Sequence, residues 1–462
     1  MSQLIAEIDW KPTFNDKPVP ADQQESIRKA VPQEPIVEPD EDRKVLVFSA
    51  TSGFRHGSIP TGKLALELMG ESTGAYEAVV SDDPANFEPD ALDEFDAVIL
   101  LNPTQNFFMP NNKQKGEFSK EEWQQLQQRH KRLVDNLIKY LNDGGGIVGI
   151  HAATDACYGH AEYGEAMGGY FAGHPWGGGN NVTIVVEDPD HAINKAAFDG
   201  LEDFQLREEI YQFSEKPYSR NNLRILLNLD PERSDPVGGK KRMDDDYAVS
   251  WVHQVGDGRL FYSSIGHNHH IYWNPMILKH YLAGIQFATG DLEADTTPSG
   301  NPKPKIWKPL SAWKGLPNWS EENGTNAFKV NRGIIAYNLQ NAKANAFLAS
   351  NQEYGNFILE FQVKAKTPRS GVQIRAETKN YGMNKRINGY AIKSGDNFSK
   401  DRWNSYRIEA KGSTIQTWLN GKLIDETNKI SHAKGLICLQ AEHNGKPGGA
   451  IEWRSIRINV LD

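Results

Sequence analysis

Cysteine is scarce in this 462-residue chain: only Cys157 and Cys438 occur, far apart. They make neither a thiolate metal pattern nor a disulfide framework, so any metal must be held by other side chains. Basic residues are in deficit, with 51 Lys and Arg against 60 Asp and Glu and a net charge of −9. With no basic run either, a nucleic-acid partner held through its phosphates is not expected. No apolar run approaches the length of a membrane span. The start, MSQLIAEID, lacks the basic opening and apolar core of a signal peptide. The expectation is a cytoplasmic protein as written, or a periplasmic or secreted one if a leader has been removed. There is no HExxH, no phosphate-cradling loop and no internal repeat.

What is present divides the chain. Residues 1–42 are rich in Pro, Asp, Glu and Gln and read as an extended arm without a core of its own. Residues 43–290 alternate strand and helix patterns. KVLVFS, Tyr76–Val80, Ala97–Asn102 and the run ending at Ile150 read as strands. The segment after Ser119 reads as a helix with a Ser119/Glu122 capping box. Such alternation predicts an α/β domain with a mostly parallel sheet, whose sites lie at the carboxyl ends of the strands. A Pro-, Thr- and Ser-bearing linker spans 291–302. Residues 303–462 read as short strands rich in β-branched and aromatic residues, with a hairpin signal at Asn420-Gly421. That half should be an all-β sandwich or jelly roll.

Histidines fall where the predicted parallel strands end. His56 follows the first strand in GFRHGSIP, His151 ends GGGIVGIH, and His267 follows FYSSIG. Their side chains can converge above one sheet edge, and Glu209 in LREEIYQF can add an oxygen ligand or a base. His174 is a weaker candidate, and His269 and His270 read as surface residues. Imidazole and carboxylate suit a divalent metal, zinc first, with manganese or cobalt also compatible with these donors. A bound sugar is the other expectation for this cleft.

GFRHGSIP, GGGIVGIHAATD, FAGHP, EEIY and VSWVHQVGDGRLFYSSIGH together resemble the trehalose-utilisation (ThuA-like) family across about residues 43–290. The resemblance implies a flavodoxin-like fold similar to class I glutamine amidotransferases. In those enzymes the elbow after the central strand carries a cysteine. Here it reads Gly149-Ile150-His151-Ala152-Ala153, and Cys157 comes too late to replace that thiolate. Glutaminase activity is therefore not expected.

Residues 303–462 resemble the 3-keto-disaccharide hydrolase domain, a concanavalin-like jelly roll, through WNSYRIEAKGSTIQTWLNGKLIDET, GLICLQAEHNGKPGGAIEWRSIRI and the middle strands. The resemblance implies a carbohydrate substrate and cleavage of oxidised (3-keto) disaccharides or glycosides by elimination or hydrolysis. Among polar residues inside these strands, Glu360, Arg375, Lys393 and His443 join His151 and Glu209 as candidate catalytic groups. The competing expectation is a carbohydrate-binding protein without glycosidase activity.

Overall fold

The computed structural model describes residues 8, 10–239, 242, 246–300, 307–311, 315–323, 327–331, 333–337, 346–381, 384–428, 432–441 and 451–461. Two compact units emerge, Met1–Pro302 and Lys303–Asp462.

The first unit is built on nine strands: β1 (Lys44–Phe48), β2 (Glu77–Val80), β3 (Ala97–Leu101), β4 (Gly146–Ile150), β5 (Asn181–Val186), β6 (Asp203–Arg207), β7 (Arg224–Asp230), β8 (Ala248–Val255) and β9 (Gly258–Ser263). They form one mixed sheet in the order β2-β1-β3-β4-β9-β8-β7-β5-β6. The pairings from β2 to β9 are parallel, and those from β9 to β6 are antiparallel. The candidate site belongs to the parallel half. There Leu101 pairs with Ile150 and Ile150 with Ser263, so three neighbouring strands end level with one another.

β3 and β4 are buried along their whole length, as expected of parallel strands covered on both faces. Alternate residues feed two cores. Val45, Val47, Ile99, Val148 and Ile150 pack on one face with helices Ile59–Thr73 and Pro275–Thr289. Leu46, Phe48, Val98, Leu100 and Ile147 pack on the other with Leu133, Leu137 and Leu141 of helix Lys120–Asn142. Ser119 caps that helix: its hydroxyl accepts from the Glu122 amide at 3.2 Å, and the Glu122 carboxylate accepts from the Ser119 amide at 2.7 Å.

The N-terminal arm departs from expectation. Ala21–Ala30 is an α-helix rather than extended chain, and Ile27, Ala30 and Val31 are buried in the first core. Further along, the amides of Ile36 and Val37 donate to the Gln286 side chain at 2.7 and 3.2 Å. The arm's polar composition hid three apolar residues at helical spacing, which bury against a core supplied by the rest of the unit. Among the described residues no helix is long and apolar enough to cross a membrane.

Two buried histidines away from the sheet edge give this unit an acid sensitivity. His130, with neither ring nitrogen partnered, and His280, whose Nε2 lies 2.9 Å from the Ser250 hydroxyl, are both pushed down to about 3 by burial. Their neighbours His160 and His191 lower them further. An unfolded histidine titrates near 6.5, so between about pH 6.5 and 3 the unfolded chain binds more protons at these two positions. Their contribution is complete above the upper limit and shrinks as pH falls, by up to about 1.4 kcal/mol per pH unit for each histidine. Denaturant unfolding at a series of pH values should show this slope, and His130→Leu and His280→Leu should each flatten it. A wild-type slope retained in both variants would refute the assignment.

The second unit consists of an eight-stranded and a five-stranded sheet, with every strand pairing antiparallel. Their inward residues, including Leu359, Phe361, Ile374, Ile408, Leu439 and Trp453, make one sandwich core. Asn420 and Gly421, with φ of 49° and 79°, join strands Thr414–Leu419 and Lys422–Thr427. Two positive values are what a tight type I′ hairpin turn demands.

Candidate metal centre

β4 leads directly into the site. At its end His151 takes φ = 50°, in the left-handed region, and opens a short 3-10 turn over His151–Thr154. A non-glycine residue held there is strained, and such strain collects at functional elbows. The glycines before it serve close packing. A Cβ on Gly149 would come within 2.4 Å of Met167 Cε.

Around this elbow four side chains meet. One ligand atom from each of His56, His151, Glu209 and His267 lies within 4.8 Å of the others. His56 comes from the loop after β1, His151 from the end of β4, His267 from the loop after β9 and Glu209 from the segment after β6. Glu209 Oε1 stands 3.6 Å from His151 Nε2 and 3.3 Å from His267 Nδ1. Donors of a tetrahedral zinc site, at bond lengths of about 2.1 Å, stand about 3.4 Å apart, and these two spacings bracket that value.

Beyond the Glu209 contacts of His151 and His267, three ring nitrogens are unengaged. His56 Nδ1, His151 Nε2 and His267 Nδ1 are all buried without a hydrogen-bond partner. Buried polar atoms are seldom left so, and three close together beside a carboxylate could hold a metal ion. The opposite nitrogen of His151 is engaged, its Nδ1 lying 2.7 Å from the Ser264 carbonyl oxygen. Donation to that oxygen fixes the tautomer and aims a lone pair from Nε2 at the centre, the usual outer-shell arrangement for a metal-bound imidazole.

The electrostatics agree with a cation cradle. Burial, reinforced by His151 and His267, drives His56 down to about 2, so its ring is neutral. Burial also lowers His151 in spite of Glu209. Burial alone would raise Glu209, but the adjacent imidazoles of His151 and His267 outweigh it and hold the carboxyl well below its usual range. Glu209 in turn raises His267. The lowered His56 and His151 rings and the ionised carboxylate are in the protonation states a divalent metal needs, whereas the proton that Glu209 favours on His267 would have to leave for that ring to bind one.

Glu208 is the residue whose role the sequence did not disclose. Fully buried, its carboxylate accepts from the amides of Gly266 at 3.3 Å, His267 at 2.6 Å and Asn268 at 3.3 Å. It pins the loop that carries His267. Burial raises its pKa to about 7 against those donors. Gly266 has φ = 147°, and a Cβ there would approach Ile150 Cγ2 at 2.8 Å and His151 Cβ at 3.1 Å, so a side chain would press on the elbow. His174 lies at the rim, about half exposed, with Nδ1 3.4 Å from Glu209 Oε2. His269 stays outside the cluster, its Nδ1 2.8 Å from the Thr61 hydroxyl.

Cys157 is fully buried and its thiol is pushed up by desolvation, so it does not offer a nucleophilic thiolate.

The candidates in the second unit have separate partners. Glu360, in strand Phe357–Ala365, is held by Arg407 at 2.8 Å and by Arg457 at 2.6 and 2.9 Å. Arg375, in strand Val372–Tyr381, is buried at φ = 47° and donates to the carbonyls of Gly355 at 2.9 Å and Gly412 at 2.6 Å. Its contacts are those of a side chain tying loops together. Lys393 is mostly exposed and pairs with Asp425 at 2.8 Å, and Asp425 also accepts from the Tyr390 hydroxyl. His443 lies outside the described residues.

An α/β unit with a histidine-lined sheet edge, followed by a β-sandwich, has counterparts among known families. Residues 44–288 match the family ThuA, described as trehalose utilisation, and the chain belongs to that family. Residues 308–459 match the 3-keto-alpha-glucoside-1,2-lyase-like domain. Among solved structures, a candidate ThuA-like protein from Bacteroides uniformis is 18% identical, with a TM-score of 0.40, over 56% of this chain and 93% of that one. A candidate glycosyl hydrolase from Parabacteroides distasonis is 23% identical, with a TM-score of 0.27, over 34% of this chain and 99% of that one. The carbohydrate-binding module CBM66 from Bacillus subtilis is 11% identical, with a TM-score of 0.23, over 31% of this chain and 95% of that one. No curated protein matches the chain. The two domain matches together indicate a carbohydrate-related role and a hydrolase-like second domain.

Proposed function

We propose that this protein is a carbohydrate-active enzyme that cleaves the glycosidic bond of oxidised, 3-keto glycosides, with its reacting centre at the His56–His151–Glu209–His267 cluster and zinc as the preferred ion. The observation that carries the reading is the set of three buried, unpartnered imidazole nitrogens around one carboxylate oxygen. The match of residues 308–459 to a 3-keto-alpha-glucoside-1,2-lyase-like domain supports the substrate class.

The chemistry suits such a site. A ketone at C3 acidifies the proton on C2, and the glycosidic oxygen on C1 lies β to that carbonyl. A base takes the C2 proton, the electron pair forms the enolate, and the C1–O bond breaks as the leaving oxygen is protonated. Water then adds across the double bond, its hydroxyl to C1 and its proton to C2, which completes a net hydrolysis. When bound, a divalent metal supplies a Lewis acid for the developing enolate charge. The chain's own groups supply the rest. Glu209 faces the cluster through Oε1 and His174 through Oε2, and the half-exposed His174 ring gives the proton a route to solvent.

Metal analysis of the full chain together with a cleavage assay tests the reading. The expected result is zinc bound in stoichiometric amount and release of the aglycone from a 3-keto glucoside but not from its unoxidised parent. A chain that binds no divalent metal and turns over neither compound would refute it. Sugar binding without turnover would favour the second reading, a carbohydrate-binding protein.

A further inference from the structure

The mouth of the histidine cluster has features that the metal alone does not use. Phe54 is 66% exposed, a large apolar ring facing water, with its edge against His56 at a centroid distance of 4.8 Å. Tyr158 is 43% exposed and stacks on Tyr170 at 5.2 Å. Between them lie two polar side chains. Gln105 Nε2 donates to Asp155 Oδ1 at 3.2 Å, and the Tyr158 hydroxyl donates to the same oxygen at 2.5 Å.

These four residues form one continuous edge. The loop after β1 is tied to the loop after β3 by the Thr51–Thr104 bridge and by the Thr104 hydroxyl, which donates to the Phe54 carbonyl at 2.9 Å. The loop after β3 is tied to the loop after β4 by the Gln105–Ala156 bridge. Gln105 and Cys157 hold φ of 56° and 51°, so the strain seen at His151 recurs along this rim. Gln105 also lines a cleft of about 260 Å³ with Ser52, Asn106 and Asn111.

We propose that Phe54, Gln105, Asp155 and Tyr158 form a recognition subsite for a pyranose ring beside the histidine cluster. The proposal rests on the carbohydrate reading of that cluster. A pyranose has an apolar face of C–H groups and a rim of adjacent hydroxyls. The exposed aromatic rings match the face. The planar amide and carboxylate match the rim, with Asp155 accepting and Gln105 able both to donate and to accept. Tyr158 and Gln105 together fix the Asp155 carboxylate, so it is oriented before the sugar arrives. A wholly apolar ligand would take the carboxylate's Oδ2 out of water without a donor in exchange, which selects against it.

Ligand-observed NMR on the zinc-treated full chain, with methyl α-D-glucopyranoside and its 3-keto derivative as probes, tests this. Binding by the wild type with a Kd on the order of 1 mM is expected. Asp155→Asn should weaken it about tenfold, and Phe54→Ala about fivefold. Tyr158→Phe should weaken it less, since the ring stays and only the hydroxyl that orients Asp155 is lost. Zinc content, measured in parallel, should be the same in all four proteins. Equal sugar affinity in wild type, Phe54→Ala and Asp155→Asn would overturn the subsite while leaving the metal centre standing, and so would failure of the wild type to bind either probe. A wild type that holds no zinc, yet binds sugar with the predicted losses in the variants, would overturn the metal centre and leave the subsite.

Discussion

Full-length protein carrying His151→Ala should retain less than about one-tenth of the wild-type zinc and lose turnover of a 3-keto glycoside by at least about 100-fold. The imidazole is fully buried, its Nδ1 is committed to the Ser264 carbonyl, and its Nε2 points without a partner at Glu209 and the other two histidines. Thermal stability should move little. Alanine at φ = 50° bears backbone strain comparable to that of histidine. Removal of the ring relieves the unpartnered Nε2 but also takes the donor from the Ser264 carbonyl, two effects of similar size and opposite sign. A melting temperature within about 5 °C of the wild type, with metal and turnover gone, is the expected pair of results. The opposite pair, a markedly lower melting temperature with zinc retained, would make His151 a packing residue and end its assignment as a ligand.

The second large effect is expected at Glu208, which touches no part of the proposed ion. Its carboxylate is the acceptor for three consecutive amides, those of Gly266, His267 and Asn268. Glu208→Ala leaves all three buried donors without that acceptor. The loss should be about 3 kcal/mol or more of unfolding free energy, together with a drop of at least about tenfold in zinc affinity as His267 leaves its position. Glu208→Gln keeps a carbonyl oxygen of the same reach and should recover most of both. Isothermal titration with zinc and denaturant unfolding of the two variants separate the possibilities. If Ala and Gln behaved alike, hydrogen bonding to the loop would not be what Glu208 provides. If Ala lowered stability but left zinc affinity intact, the loop would be held by other contacts and Glu208 would not be a positioning residue.

The two predictions concern different layers of one device. Parallel strands with level ends present Asn102, His151 and Ser264 side by side, since each follows directly on a strand end in the registered set β3, β4 and β9. Asn102 uses its amide to tie the Ser58 hydroxyl at 3.3 Å and the Gly266 carbonyl at 3.2 Å into the same edge. Ser264 fixes the His151 ring and Glu208 fixes the His267 loop, so the cluster that could hold a metal is positioned by the sheet edge. A centre built on strand ends in this way is rigid before an ion arrives, which reduces the ordering cost of binding it.

Local periodicity was enough to read much of this from the amino acids. The alternation in KVLVF and the buried run GIVGI mark strands, the Ser119/Glu122 box marks a helix start, and Asn420-Gly421 marks a hairpin, because each signal acts within a few residues of chain. His56, His151 and His267 could be singled out for the same reason: each lies at or within a few residues of the end of a strand pattern. Long-range pairing settled the rest. The antiparallel half of the sheet, from β8 to β6, depends on hydrogen bonds between segments far apart in sequence. The burial of Ile27 depends on a core made by other elements. Glu208 and Glu209 are adjacent in sequence, yet one turns to the amides of the His267 loop and the other to the histidines, a division no spacing rule encodes. Arg375 and Glu360 resembled catalytic groups as letters in strands, and only their partners, two backbone carbonyls for one and two arginines for the other, show what each side chain touches. Phe54, Gln105, Asp155 and Tyr158 come together because β1, β3 and β4 lie side by side, an arrangement that exists only once the sheet has formed.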